Sequence, residues 1–135
     1  MKKYNIFENA ISELEIHLDD RGRIADAFFG VSINHVVVID SIKGAIRGNH
    51  YHKETTQHML ITKGSLEYWY KDLDSKEPAK MHLAIVGDLI STPPLEIHAL
   101  KITEEGNEFV VFSEGKRGGK DYESDTYRVE SIIPS

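Results

Sequence analysis

His50 and His52 are the residues in this chain most obviously equipped for chemistry. They sit in the stretch Gly44-Ala-Ile-Arg-Gly-Asn-His50-Tyr-His52-Lys-Glu-Thr-Thr-Gln57-His-Met-Leu-Ile-Thr-Lys-Gly64. Residues i and i+2 of a β-strand point to the same face, so the two imidazoles project side by side. Such a pair can hold one metal ion or share proton transfer near neutral pH. A second stretch, Gly87-Asp-Leu-Ile-Ser-Thr-Pro93-Pro-Leu-Glu-Ile-His98, ends in another histidine.

Histidine pairs need a scaffold, and composition bounds what it can be. The chain has 135 residues, enough for one domain with a real core. Hydrophobic residues make up 40% and charged residues 28%, the balance of a soluble globular protein. The formal net charge of −6 argues against nucleic acid as a partner, since phosphate backbones call for a basic surface. Cysteine is absent, so disulfides and thiolate nucleophiles are excluded; any metal must use imidazole, carboxylate or amide oxygen. No apolar run approaches the roughly 20 residues of a membrane span. The start, Met-Lys-Lys-Tyr-Asn-Ile, lacks the apolar core of a signal peptide, so a cytoplasmic location without membrane association is expected.

Strand signals recur at short intervals. Leu14–Leu18 alternates and runs into the turn Asp19-Asp20-Arg21-Gly22, with Arg23–Phe29 as its hairpin partner. His35–Asp40 contains a β-branched run suited to a buried strand. Further strands are expected at Gly44–His50, Gln57–Thr62, Leu66–Lys71, Met81–Val86, Leu89–Thr92, His98–Ile102 and Glu108–Ser113. Lys63-Gly64-Ser65 reads as a hairpin turn, and Pro93-Pro94 as a strand end. Asn5–Leu14 is the best helical candidate, as a short turn at most. The basic, glycine-rich Lys116–Lys120 reads as a surface loop, and Tyr127–Ile133 as an edge strand or a segment crossing to a second subunit. Many short strands with Gly/Pro turns predict a single-domain all-β sandwich or barrel, with its core over about 14–113 and a C-terminal loop and edge strand over 114–135.

The two histidine stretches resemble the paired motifs of the cupin superfamily. Its first motif runs glycine, five residues, His-x-His, four residues, an acidic ligand, six residues and glycine; this chain matches from Gly44 to Gly64 with Gln57 at the acidic position. In the second motif Gly87, Pro93 and His98 fit, while Leu95 replaces a glycine. The resemblance implies a double-stranded β-helix, the RmlC-like jelly roll. It also implies a metal set of His50, His52, Gln57 and His98 for a divalent ion such as Zn, Ni, Fe or Mn. An apo pocket that works by hydrogen bonding is the alternative. An amide in place of a carboxylate neutralises none of the ion's charge, so binding weaker than in the Glu version is expected.

The run Arg47-Gly48-Asn49-His50-Tyr51-His52-Lys53, with Gln57 beyond it, is similar to nucleotide-sugar 3,4-ketoisomerases. Asp20-Arg21-Gly22 followed by Arg47-Gly48-x-His50 also resembles 3,5-epimerases of dTDP-4-keto-6-deoxysugars and the cupin domain of capsular polysaccharide assembly enzymes. The resemblance implies an isomerase or epimerase of a nucleotide-linked 4-keto sugar in cell-surface polysaccharide synthesis. A proton α to the ketone would be taken by His50 or His52, whose pKa range suits a base, and returned by a phenol such as Tyr51, Tyr68 or Tyr70. Arg47, Lys53 and Tyr70 would bind substrate, Arg47 through its fork to a diphosphate oxygen. His98, which those ketoisomerases lack, favours a metal-dependent oxygenase or small-molecule isomerase instead. A non-catalytic sugar- or metabolite-binding cupin is the third reading. His58 should point away from Gln57, and His17, His35 and His82 read as surface or packing residues. A jelly roll of this size leaves edge strands to cover, so a homodimer is expected.

Overall fold

The computed structural model describes residues 1–8, 14–115 and 124–135. Among these residues twelve strands follow in chain order: β1 (Lys2–Asn5), β2 (Ile16–Asp19), β3 (Gly22–Ala25), β4 (His35–Ser41), β5 (Ile46–Tyr51), β6 (Thr56–Lys63), β7 (Leu66–Asp72), β8 (Lys80–Ala84), β9 (Asp88–Thr92), β10 (Glu96–Ile102), β11 (Asn107–Glu114) and β12 (Tyr127–Arg128). One five-stranded sheet has the order β1-β9-β6-β11-β4 and the other β12-β5-β10-β7-β8, with β2 and β3 a separate hairpin. Every pairing is antiparallel. Consecutive strands thus alternate between sheets for much of the chain, as a jelly roll requires.

Alternation along the strands explains how the sheets stack. On β6 the inward residues are Gln57, Met59 and Ile61, and on β11 they are Phe109, Val111 and Ser113. On β10, His98, Leu100 and Ile102 follow the same order. Each strand therefore contributes apolar residues at one end and a polar group at the other. The core, centred on Ile61, Leu66, Tyr68, Ile90, Ile102 and Phe109, fills the apolar end. Each such side chain contributes about 1.5–3 kcal/mol by leaving water. The polar ends converge at the opposite end, where the histidine motifs meet.

The expected strands form, with corrections at their ends. β5 starts at Ile46 because Gly44, at φ 88°, belongs to the turn before it. The strand expected over Arg23–Phe29 stops at Ala25, and that over Met81–Val86 at Ala84. Tyr127–Ile133 pairs within its own chain, on β5, but only over Tyr127–Arg128. β1 was not foreseen; its polar sequence has no apolar alternation, and it forms because β9 offers a ladder from Asp88 to Ser91. Ile6–Glu8 form the turn expected after Asn5, while 9–13 and Lys116–Lys120 lie outside the described residues. No helix among the described residues is long and apolar enough to cross a membrane.

Candidate active site

The site is built on an irregularity in β5. Gly48 and Asn49 both adopt left-handed backbone, φ 87° and 55°. The ladder to β10 skips Asn49: Gly48 pairs with Ala99 and His50 with His98. Skipping one residue lets Arg47, Gly48 and His50 all line the same cavity, which a regular strand would forbid. A Cβ on Gly48 would lie 2.7 Å from the His98 carbonyl oxygen, so glycine also permits the close approach of the two motifs. Asn49, freed from the ladder, accepts the Val129 N–H at its carbonyl and the Ile132 N–H at its side-chain oxygen, both at 2.9 Å.

Three imidazoles converge here. The His50 ring lies 4.6 Å from His98 and 5.0 Å from His52, centre to centre, and His52 lies 5.4 Å from His98. One nitrogen from each falls within 4.8 Å of the others, a spacing that one ion could bridge. His52 is buried and its Nδ1 donates to the Asp125 carbonyl at 2.7 Å. A carbonyl only accepts, so Nδ1 carries the proton and Nε2 presents a lone pair when the ring is neutral. That nitrogen faces Gln57 Oε1 at 3.1 Å, acceptor to acceptor, while Gln57 Nε2 is buried with no hydrogen-bond partner. With the ring neutral, two arrangements satisfy this contact: a cation between the acceptors, or Gln57 turned so that its NH₂ donates to His52. The donor set His50, His52, His98 and Gln57 therefore fits a divalent ion.

Asp125, far away in sequence, organises the end of the first motif. Its carboxylate accepts the backbone N–H groups of Lys53 at 2.9 Å and of Glu54 and Thr55 at 2.8 Å. Burial by itself would raise this carboxyl, but those N–H groups and the Thr55 hydroxyl outweigh it and hold it below the ordinary Asp value. The second motif joins the same corner through the Leu95 N–H, which donates to the His52 carbonyl at 2.7 Å. Leu95 takes φ 69°, the left-handed conformation that explains why a glycine is usual at this place in the cupin motif.

The cavity has a volume of about 640 Å³. Val37, Ile39, Met59, Leu100, Phe109 and Val111 form its apolar lining, and His35, His50, His98, Gln57, Thr92, Arg47 and Arg128 its polar groups. Among the described residues no carboxylate lines it, although the whole chain carries a formal charge of −6. Arg47 is held at the rim by Ser41 Oγ at 2.8 Å from its Nε and by the Asp40 carbonyl at 3.2 Å. Arg128 reaches the cavity because β12 pairs it opposite His50.

The structure brings His50, His52, Gln57, His98 and Arg47 together as expected and separates others. Tyr51 points to the opposite face from His50 and stacks on Tyr127 at 5.3 Å; the Lys53 ammonium lies 4.3 Å over the same Tyr127 ring. Neither lines the cavity. Tyr70 packs beside Tyr68 against the core. Tyr68 is fully buried, bonded through its hydroxyl to Thr92 and, at 3.4 Å, to Glu96. Burial pushes its phenol well above the usual value, so it stays protonated; it does not line the cavity, but lies behind Thr92 and stacks on the His98 ring at 6.3 Å. His58 points away, to Ser91 and Glu114, each at 2.7 Å. His35 is a correction: it lines the cavity, because β4 alternates from it through Val37 to Ile39. Arg128 and Asp125 were missed, since their roles come from long-range pairing with no local sequence sign.

Comparison with known proteins agrees with this architecture. The family model described as the polysaccharide biosynthesis C-terminal domain matches residues 17–127. No curated protein sequence matches the chain. Among solved structures, a double mutant of the QdtA 3,4-ketoisomerase from Thermoanaerobacterium thermosaccharolyticum, in complex with TDP, is 22% identical. It aligns over 86% of this chain and 83% of its own with a TM-score of 0.70. ChmJ, a 3'-monoepimerase from Streptomyces bikiniensis in complex with dTDP-quinovose, is 17% identical over 87% of this chain and 67% of its own, with a TM-score of 0.73. The capsular polysaccharide assembling protein CapF from Staphylococcus aureus is 19% identical with a TM-score of 0.64; the match covers 87% of this chain but 34% of CapF. At these identities the likeness establishes the shared fold, the RmlC-like jelly roll.

Proposed function

The chain belongs to the polysaccharide biosynthesis C-terminal domain family, and from that premise we propose that it isomerises or epimerises a nucleotide-linked 4-keto sugar. One observation carries this reading: among the described residues, the cavity gathers imidazoles and two guanidinium groups, without a carboxylate, in an otherwise acidic chain. Such a lining suits a doubly charged diphosphate beside a sugar that must gain and lose a proton. The ligands bound to the structural neighbours, TDP and dTDP-quinovose, support the same substrate class.

In this reading Arg47 and Arg128 hold the diphosphate. The apolar lining takes the sugar and sheds water from it. His50 opens to the cavity while His52 is sealed behind it, so His50 takes the proton α to the ketone and returns it to another atom or face. Thr92, which lines the cavity, and the protonated Tyr68 bonded to it form a hydroxyl pair beside the site. Arg47→Ala and Arg128→Ala are each expected to raise KM for a TDP-4-keto sugar about 10- to 100-fold, because hydrogen bonds to charged groups contribute about 1.5–3 kcal/mol. Steady-state kinetics that leave KM unchanged in both variants would remove the carrying observation.

A second reading rests on the imidazole triad. His50, His52, His98 and the Gln57 oxygen would hold a divalent ion, which when bound polarises a carbonyl as a Lewis acid. The two uses of His50 exclude each other, because a lone pair given to an ion takes no proton. Elemental analysis is expected to find Zn, Ni, Fe or Mn at up to one ion per chain, and Gln57→Glu to bind it more tightly by adding a charge. Absence of metal together with no rise in Tm on adding any of the four ions would leave the site to proton transfer alone. Unchanged affinity in a folded Gln57→Glu variant would remove Gln57 from the ligand set.

A further inference from the structure

We propose that Asp125 is a positioning residue of the site, fixing the tautomer of His52 while tying the end of the first motif to the strand that delivers Arg128. Two kinds of contact meet in this one residue. Its main-chain carbonyl takes the His52 Nδ1 proton at 2.7 Å. Its carboxylate takes three successive backbone N–H groups, from Lys53, Glu54 and Thr55. The His52 ring and the backbone N–H groups of residues 53–55 are therefore all held by a single residue about seventy positions away, itself 2% exposed.

The consequence for His52 is chemical. A ring whose Nδ1 proton is claimed by a carbonyl has its Nε2 lone pair directed forward, toward Gln57 and the other two imidazoles. The opposite tautomer would place a proton there instead and close that nitrogen to either an ion or a proton. The carboxylate contributes by immobility: with three N–H donors satisfied, the carbonyl cannot drift from Nδ1. Three residues on, Arg128 enters the cavity opposite His50 on the same segment. Asp125 thus ties an anion-facing guanidinium and an oriented imidazole to one anchor. It bears on catalysis only if the keto-sugar reading above holds, whereas the tautomer can be read without substrate.

The test is histidine ¹⁵N NMR of the full chain, stripped of metal with a chelator, at about pH 8, above the ordinary imidazole range. The expected result is an Nδ1–H signal for His52 in the wild type. In Asp125→Ala, and more weakly in Asp125→Asn, the tautomer ratio should move about 2- to 10-fold toward Nε2–H, the worth of one net hydrogen bond. Arg128→Ala should keep the wild-type tautomer. In the same variants of Asp125, turnover of a TDP-4-keto sugar should fall about 10- to 100-fold, as for other groups that orient a site histidine. A wild-type His52 protonated at Nε2 would overturn the proposal even if neither Asp125 variant folds. So would a wild-type tautomer ratio in a folded Asp125 variant, or an equal tautomer change in Arg128→Ala. A normal tautomer response without any turnover in the wild type would leave Asp125 in place and sink the keto-sugar reading instead.

Discussion

His50→Asn is expected to slow exchange of the sugar's α-proton by about 10²–10⁴-fold, the usual contribution of a positioned acid–base group. His50 has the placement this demands. It lines the cavity, whereas His52 is shut behind it with Nδ1 engaged by the Asp125 carbonyl. Asparagine keeps a polar side chain on the strand and removes only the titratable ring, so the fold should survive. His52→Asn should also reduce exchange, by less, since it removes a neighbour of the base and not the base. Exchange followed by NMR that survives His50→Asn at the wild-type rate would strip His50 of this role.

Gly48→Ala is the second large effect, and it works through the backbone. The φ of 87° costs a residue with a Cβ about 1–3 kcal/mol. The added carbon would also sit 2.7 Å from the His98 carbonyl oxygen and 3.1 Å from the Ala99 Cα, both backbone atoms of β10. Something in the ladder must move, and what moves carries His98. The variant should therefore lose stability in chemical denaturation and lose activity beyond what its stability explains. Gly48→Ala with the wild-type denaturation midpoint and wild-type turnover would contradict the account of the β5 irregularity.

This irregularity marks where reading the sequence succeeds and where it stops. The spacing from Gly44 to Gly64 and from Gly87 to His98 was sufficient to place four groups, His50, His52, Gln57 and His98, in one corner of a jelly roll. That works because motif spacing encodes turn length and strand register, which are local. Tyr51 and Lys53 were taken for site residues by adjacency, yet strand alternation and the skipped Asn49 turn them outward to Tyr127. Tyr68 was expected as a phenol that returns the proton, but its depth could not be seen; it lies under Thr92 and does not line the cavity. Leu95 looked like a departure from the motif, and the backbone shows it accepting the left-handed conformation a glycine would take. Asp125, Arg128 and His35 were invisible as site residues for one shared reason. Each reaches the site through pairing of distant strands, a property of topology that no short window of sequence contains.

The central claim is that this cavity moves a proton on a carbon next to a sugar ketone. It is tested most directly by incubating the wild-type protein with a TDP-4-keto-6-deoxyhexose in deuterated water and following the sugar by NMR. Deuterium entering C3 or C5, faster than in a control without protein, is the predicted result. No incorporation with any 4-keto nucleotide sugar tried, by a protein shown to be folded, would contradict it.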